Sequence, residues 1–411
     1  MSGRWLCLAG LAALAASAAG CGGVGGAGAS ETAGSQLAVY SSLPLQGPLA
    51  DISAEIVDGE KLALAEAGGH VGPFTVGYVS LDDADPNSGK LDPGATATDA
   101  KMAAQDTSTI AYLGEYDSAA TAVSLPLINA AGILQVSPAS PYVGLTSTLD
   151  AGQDEPQRFY PTGVRTFARL QGGDPAQAAA QIELMRLLGV RRLYVIDDQD
   201  PFVQPLARMV SAQAESAGVR VLGHDSITTS VGSVFAGEVE KVAASGAQAV
   251  FFAGSGGPGA AALWRALHEA DSRLLLLGSG VMVDDGFAAR LGAAAVSAYL
   301  TTPILPLRSY PPPAARVLAD YRRRFGSDGG AYVLYGYEAM SAVLDAIRRA
   351  GPHGNERRAV IDRFFAARGH GSVLGRFSIR PDGEAAVSRY GVDRVVGGRA
   401  TFYRALSLGG Y

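Results

Sequence analysis

Two clusters near the ends of apolar runs carry the side chains best suited to chemistry. Tyr116-Asp117-Ser118-Ala119 follow TIAYLGE and open a helical pattern, and Ala139-Ser140 follow the next short apolar run, GILQVS. Hydroxyls and unpaired N–H groups at a helix N-terminus can hold an anion, because the helix dipole and the free donors both favour negative charge. Ser118 is read as the cap of this helix and Gly132 as its stop. Further on, Asp197-Asp198-Gln199-Asp200 ends another apolar run. Asp200 is read as the cap of a helix at Pro201, and Asp198 as an acid able to meet a cationic ligand group. The chemistry these residue types support is noncovalent capture of a small molecule in the crevice at strand C-ends.

Other motifs argue less well. Gly254-Ser255-Gly256-Gly257-Pro258-Gly259 fits a dinucleotide loop, but the following strand ends LLLLGSG, with no acid for the ribose before Asp284. An oxidoreductase built on this loop is the enzyme alternative. Asp83-Ala-Asp85-Pro-Asn87-Ser-Gly89 resembles the start of a calcium loop, yet Gly94 stands where the bidentate Glu belongs, so a solvated loop is expected. His70, His224, His268, His353 and His370 are scattered, with no metal or nucleophile spacing around them. No metal, cofactor or catalytic group is expected.

The elements around these clusters alternate. Strand and helix patterns repeat from Gln36, with Pro or a capping residue at most helix starts and Gly near most ends, which implies parallel βα units. AVSAYLTTP is read as a strand carrying the chain back to a first lobe. Ala314 to Phe325 and Ala331 to Ala350 read as long helices, and a terminal hairpin is expected around Gly397-Gly398. About 375 residues after the tether exceed what one core usually holds, so two lobes are expected.

The N-terminus reads as an address. Arg4 precedes an apolar run, Trp5 to Ala19, and Ala18-Ala19-Gly20-Cys21 resembles a lipobox, which implies a leader over 1–20 and lipid on Cys21. Residues 21–35 form a Gly-rich tether, spanning about 20 Å as a coil. Cys7 leaves with the leader, so the mature chain has no thiol beyond Cys21 and no disulfide. Loss of Arg4 moves the net charge from −6 to −7, a balance that does not suggest nucleic acid.

Taken in order, these phrases resemble the type I periplasmic binding proteins of ABC importers, and among them the branched-chain amino-acid binding group. The resemblance rests on YSSLPLQGP, VSLDDADP, YLGEYDSAATAVSLPLINAAGILQVSPAS, YPTGVRTFAR and LYVIDDQDPFVQPLA. It implies an α/β fold of two doubly wound βα lobes joined by a multi-crossover hinge near Val164, Thr301 and Phe377. The lobes would comprise 36–163 plus 301–377, and 164–300 plus 378–411. It also implies a monomer that binds a small polar solute such as an amino acid, docks on permease subunits, and is anchored to the outer face of the cell membrane. The alternative is a ligand-sensing domain of the same fold without transport.

The resemblance assigns the ligand's carboxylate to Ser118 and Ala139, with Tyr116, Asp117, Ala119 and Ser140 beside them. Across the cleft it assigns Phe202, Ser255 and Gly280, with Asp198, like Asp117, a substitute acid if the ligand is cationic. This sequence departs from the family pattern at Pro141 (usually Thr), Phe202 (usually Tyr), Ser255 (usually aromatic) and Gly280, which stands near the place of an ammonium-binding acid. Those departures imply a ligand other than a plain α-amino acid.

Overall fold

The computed structural model describes Thr32 and residues 34–282, 285–367 and 370–409. The leader 1–20, Cys21, most of the tether and Asp284 lie outside the described residues. The first sheet is built from β1 (Gln36–Leu43), β2 (His70–Val71), β3 (Phe74–Asp82), β4 (Thr109–Leu113), β5 (Leu134–Ser137) and β6 (Phe167–Arg169), in the order β2-β3-β1-β4-β5-β6. All pairings are parallel except β2 with β3. The central strand β1 is buried at every position after Gln36, as a parallel strand covered on both faces requires. Helices α1 (Ala50–Glu66), α2 (Pro93–Gln105) and α3 (Ser118–Ala130) connect the first strands. The order reverses between β1 and β4, which opens a crevice at their C-ends.

The second sheet begins after α4 (Asp174–Leu188). Its strands β7 (Arg192–Asp197), β8 (Arg220–Ser226), β9 (Ala249–Ala253), β10 (Leu275–Ser279) and β11 (Ala298–Thr302) alternate with α5 (Gln204–Ser216), α6 (Ala236–Ser245), α7 (Pro258–Ala270) and α8 (Asp285–Arg290). The chain then adds α9 (Pro312–Phe325), α10 (Ala331–Ala350), α11 (Arg357–Phe365) and a small hairpin of β12 (His370–Ser372) and β13 (Gly375–Phe377). These pack on the first lobe. Finally β14 (Arg389–Val396) and β15 (Arg399–Ser407) join the second sheet antiparallel, giving the order β15-β14-β11-β10-β9-β7-β8.

The chain therefore passes between sheets three times, after Arg169, after Thr302 and after Phe377. β6 pairs with β5, so the first sheet runs past the expected crossing at Val164. β11 lies inside the second sheet rather than carrying the chain back, and the return begins at Pro303. Both differences come from short strands whose sheet partner is set by tertiary pairing, which local pattern cannot report.

Two contacts lock the arrangement. Where α1 crosses α10, a Cβ on Gly59 would lie 2.2 Å from Val333 O, and one on Gly336 would lie 2.0 Å from Ile56 O. Glycine at both positions lets the two backbones touch. At the crossings, the fully buried Arg169 pairs with Glu384 at 3.1 Å. Its guanidinium also donates to Ser140 O, to Tyr142 O (2.9 Å) and to Thr146 Oγ1 (2.9 Å).

Gly59→Ala should lower stability by about 1–3 kcal/mol through overpacking, despite the better helix propensity of alanine. A urea titration that showed no loss would contradict the close crossing. Glu384→Ala should cost about 3–5 kcal/mol, because it leaves a buried guanidinium unpaired. The same titration measures it.

Candidate ligand-binding site

A cavity of about 180 Å³ lies between the C-ends of the two sheets. The first lobe supplies Tyr116, Asp117, Ser118 and Ala119 from the β4–α3 turn, and Ala139 and Pro141 from the loop after β5. The second lobe supplies Gln177 from α4, Asp200, Phe202 and Val203 ahead of α5, Ser255 after β9, Gly280 after β10, and Tyr390 on β14. Thr302 ends β11, Gln171, Gly172 and Pro303 come from crossings, and Tyr332 from the first turn of α10. A larger, open groove of about 500 Å³ runs between α1 and α10 on the outside of the first lobe. It is remote from the strand C-ends and draws nothing from the second lobe.

Every expected site residue except Ser140 and Asp198 lines the cavity. Ser140 is fully buried at φ +45°, and its hydroxyl is shared among Thr121 Oγ1 (2.6 Å), Glu115 O and Asp117 O. It staples the loop from behind. Asp198 accepts from Ser255 N (2.8 Å) and Asp200 N (3.2 Å), so it shapes the β9–α7 turn instead of facing the cavity.

The caps also differ by a residue or more from the sequence reading. Asp117, not Ser118, caps α3, accepting from Ala119 N (2.7 Å) and Ala120 N. Ser118 is the first helical residue, and its Oγ accepts from Tyr142 N at 3.1 Å. Asp200 accepts from Phe202 N (2.8 Å) in a turn that precedes α5, which starts only at Gln204. Asp174 lies inside α4, buried, and accepts from Val143 N (2.9 Å), while Gly173 takes the cap position. An Asp before the first apolar residue of a helix satisfies several such geometries, so spacing alone does not choose among them.

The lining missed in the sequence is mostly aromatic or amide. Tyr116 and Tyr332 stand hydroxyl to hydroxyl at 3.1 Å, with ring centroids 5.9 Å apart. Tyr390 OH donates to Gln177 Oε1 at 2.8 Å, and the other end of Gln177 donates to Thr301. Gln171 is buried, and its Nε2 has no hydrogen-bond partner. No distinctive pattern marks Tyr332, Tyr390, Gln171 and Gln177, which lie far from the first cluster in sequence.

The remaining motifs have structural roles. A Cβ at Gly256 would lie 2.1 Å from Met282 O, and one at Gly259 only 1.7 Å from Thr229 O. Protein backbone thus occupies the space beside this glycine loop that a bound phosphate would need. Asp85 closes the Asp83 loop on itself through Asn87 N and Ser88 N, while Asp83 turns inward and is buried. Among the described residues no group of His, Cys, Asp and Glu is placed to hold a metal ion. His224 bonds to Asp197 at 2.8 Å.

Several acids are buried. Burial pushes Asp83 up to about 7 and Asp99 up to about 6, although Ser42 donates to Asp99 at 2.9 Å. Burial and the nearby Asp83 raise Glu115 well above the usual range. Glu60 and Asp174 are raised by burial to about 7. At the surface of the cleft, Asp117 keeps accessible area but is hemmed in closely enough that desolvation raises its carboxyl. Asp200 adds to that rise. Asp197 goes the other way: burial works to raise it, but hydrogen bonds from His224, Ser226, Gln199 and Gln204 together draw it down to about 2.

A family model described as periplasmic binding protein matches residues 41–399. An amino acid binding protein of Pseudomonas aeruginosa is 23% identical over 327 residues, covering 79% of this chain and 80% of that protein. A leucine binding protein of Thermotoga maritima superposes with a TM-score of 0.72 at 20% identity, over 90% of this chain and 99% of that one. A solute binding protein of an ABC transporter from R. palustris, crystallised with benzoate, gives 0.68 at 16% identity, over 91% and 97%. Both structures share the two-lobed fold.

The raised carboxyls bind protons more tightly folded than unfolded, so their contribution to stability is full below about pH 4 and is lost as pH rises through about 7. The melting temperature of the ligand-free protein should therefore fall by several degrees between pH 5 and pH 8. Asp83→Asn should flatten that slope, and a slope unchanged in this variant would count against the buried acids. Asp197 acts in the opposite sense, losing its stabilising effect only below pH 4.

Proposed function

The chain belongs to the periplasmic binding protein family, and on that premise we propose that it is the extracytoplasmic, lipid-anchored solute receptor of an ABC importer. It captures one small polar molecule between its lobes and presents the closed form to permease subunits. The observation that carries this reading is the lining of the cavity: both lobes, two of the three crossings and α10 contribute to one space. A molecule bound there touches both lobes at once, so its contacts favour the closed arrangement by the difference in affinity between open and closed forms. The family is one of binding proteins, and no covalent step is proposed. Among the described residues no helix is long and apolar enough to cross a membrane. Attachment is assigned to Cys21, supported by the apolar leader and the Ala18-Ala19-Gly20-Cys21 sequence.

Purified mature protein should gain several degrees of melting temperature with one compound from a panel of amines, amino acids, amides and aromatic acids. Saturation at 100 times Kd is worth about 2.7 kcal/mol to the native state. Absence of any shift across a broad panel would sink the reading. Cys21→Ala should move the protein from the membrane fraction to the soluble one, with binding intact.

A further inference from the structure

The donors expected to meet a carboxylate are already used. Ala119 N and Ala120 N bond to the Asp117 carboxylate, Ala139 N bonds to Ser137 Oγ (3.1 Å), and Ser140 N bonds to Tyr116 O (3.1 Å). Pro141 has no N–H, and Tyr142 N bonds to Ser118 Oγ. What remains is Ser118 itself. Among the described residues no Lys, Arg or His lines the cavity, and Arg169, beneath the Ser140 loop, spends its guanidinium on Ser140 O, Tyr142 O and Glu384. An anion placed here would face the Asp117 carboxylate with little to balance it.

The acids point to the opposite sign. Asp117 belongs to the first lobe and Asp200 to the second, and both line the same cavity. Each uses Oδ1 on its own turn, Asp117 for the α3 cap and Asp200 for Phe202 N, and among the described residues neither Oδ2 has a hydrogen-bond partner. Two like charges on facing lobes resist closure unless a positive group sits between them. Tyr116, Tyr332 and Phe202 line the same cavity, and aromatic rings favour an organic cation over an anion. Gln171, 5% exposed, brings an Nε2 donor with no partner to the same space. A donor left unmet there is costly until the ligand supplies an acceptor.

We propose that the cleft takes a compact organic cation: an ammonium or quaternary ammonium group between Asp117 and Asp200, with a hydrogen-bond acceptor at its other end for Gln171. This rests on the cleft being the solute site. It adds the charge of the solute and a reason for closure, since the cation relieves the repulsion between the two lobes.

Calorimetric titration of the mature protein tests it with paired probes. Choline and small primary amines bearing an amide or hydroxyl form one arm, and their neutral carbon isosteres (3,3-dimethylbutan-1-ol for choline) form the second. Benzoate and leucine form the third arm. A member of the cation arm should bind at least tenfold more tightly than its isostere. Asp117→Asn and Asp200→Asn should each lose tenfold or more, with melting temperatures near the parent because asparagine keeps both turns. Gln171→Leu should weaken the same ligand without changing the preference for positive charge. Binding of benzoate or leucine with every cation silent would overturn the proposal and leave the cleft a solute site. Cation binding unchanged in both Asn variants would overturn it too. Silence of all three arms would count against both the charge assignment and the solute site.

Discussion

The geometry of the cleft depends on the buried pair Arg169–Glu384. Arg169 ends the last strand of the first sheet, and Glu384 lies on the third crossing, where Thr146 also donates to it. Through Ser140 O and Tyr142 O the same guanidinium holds the loop that carries Ala139 and Pro141. One planar cation with several fixed donors thus sets the spacing of a strand end, a crossing and a wall of the site. A lysine could not span these directions, since its ammonium is a point charge without a fork. The pair is not worth much as stabilisation against an apolar isostere. Its value is in geometry, because every alternative placement of Glu384 strands a buried charge.

Above this pair, the electrostatics of the first lobe are one-sided. Ser42, Asp83, Asp99 and Glu115 gather at the C-ends of β1, β3 and β4, where parallel strands all present the same end. Carboxyls in such a place can be neutral or paired, and burial favours the neutral form. Tyr112 donates to Glu115 at 2.6 Å, and Ser42 to Asp99 at 2.9 Å. By favouring the neutral form, burial lets these acids stay close together in a lobe whose cleft itself carries Asp117.

What could be read in the sequence was what local pattern encodes. The helix Ala331–Ala350 has the bounds that its periodicity and flanking glycines imply, and the βα alternation predicts two parallel sheets. The turn after β4 could be placed on the cavity because its small polar residues stand at a strand end. Ser140 and Asp198 looked equivalent to their neighbours, but a strained φ and a turn hydrogen bond direct them elsewhere. Gln171, Gln177, Tyr332 and Tyr390 were illegible for another reason. They reach the cleft from a crossing, α4, α10 and β14, up to about 270 residues from the first cluster, so no window of sequence contains the site.

The touching backbones of α1 and α10 set an order of assembly. Gly59 meets Val333, so the helix covering the first strands finds its seat only when a segment more than 270 residues downstream has arrived. By then β7 to β11, the whole parallel part of the second sheet, have already left the ribosome. A chain that emerges from its N-terminus therefore exposes its opening βα units the longest, because the helix that covers them waits for α10.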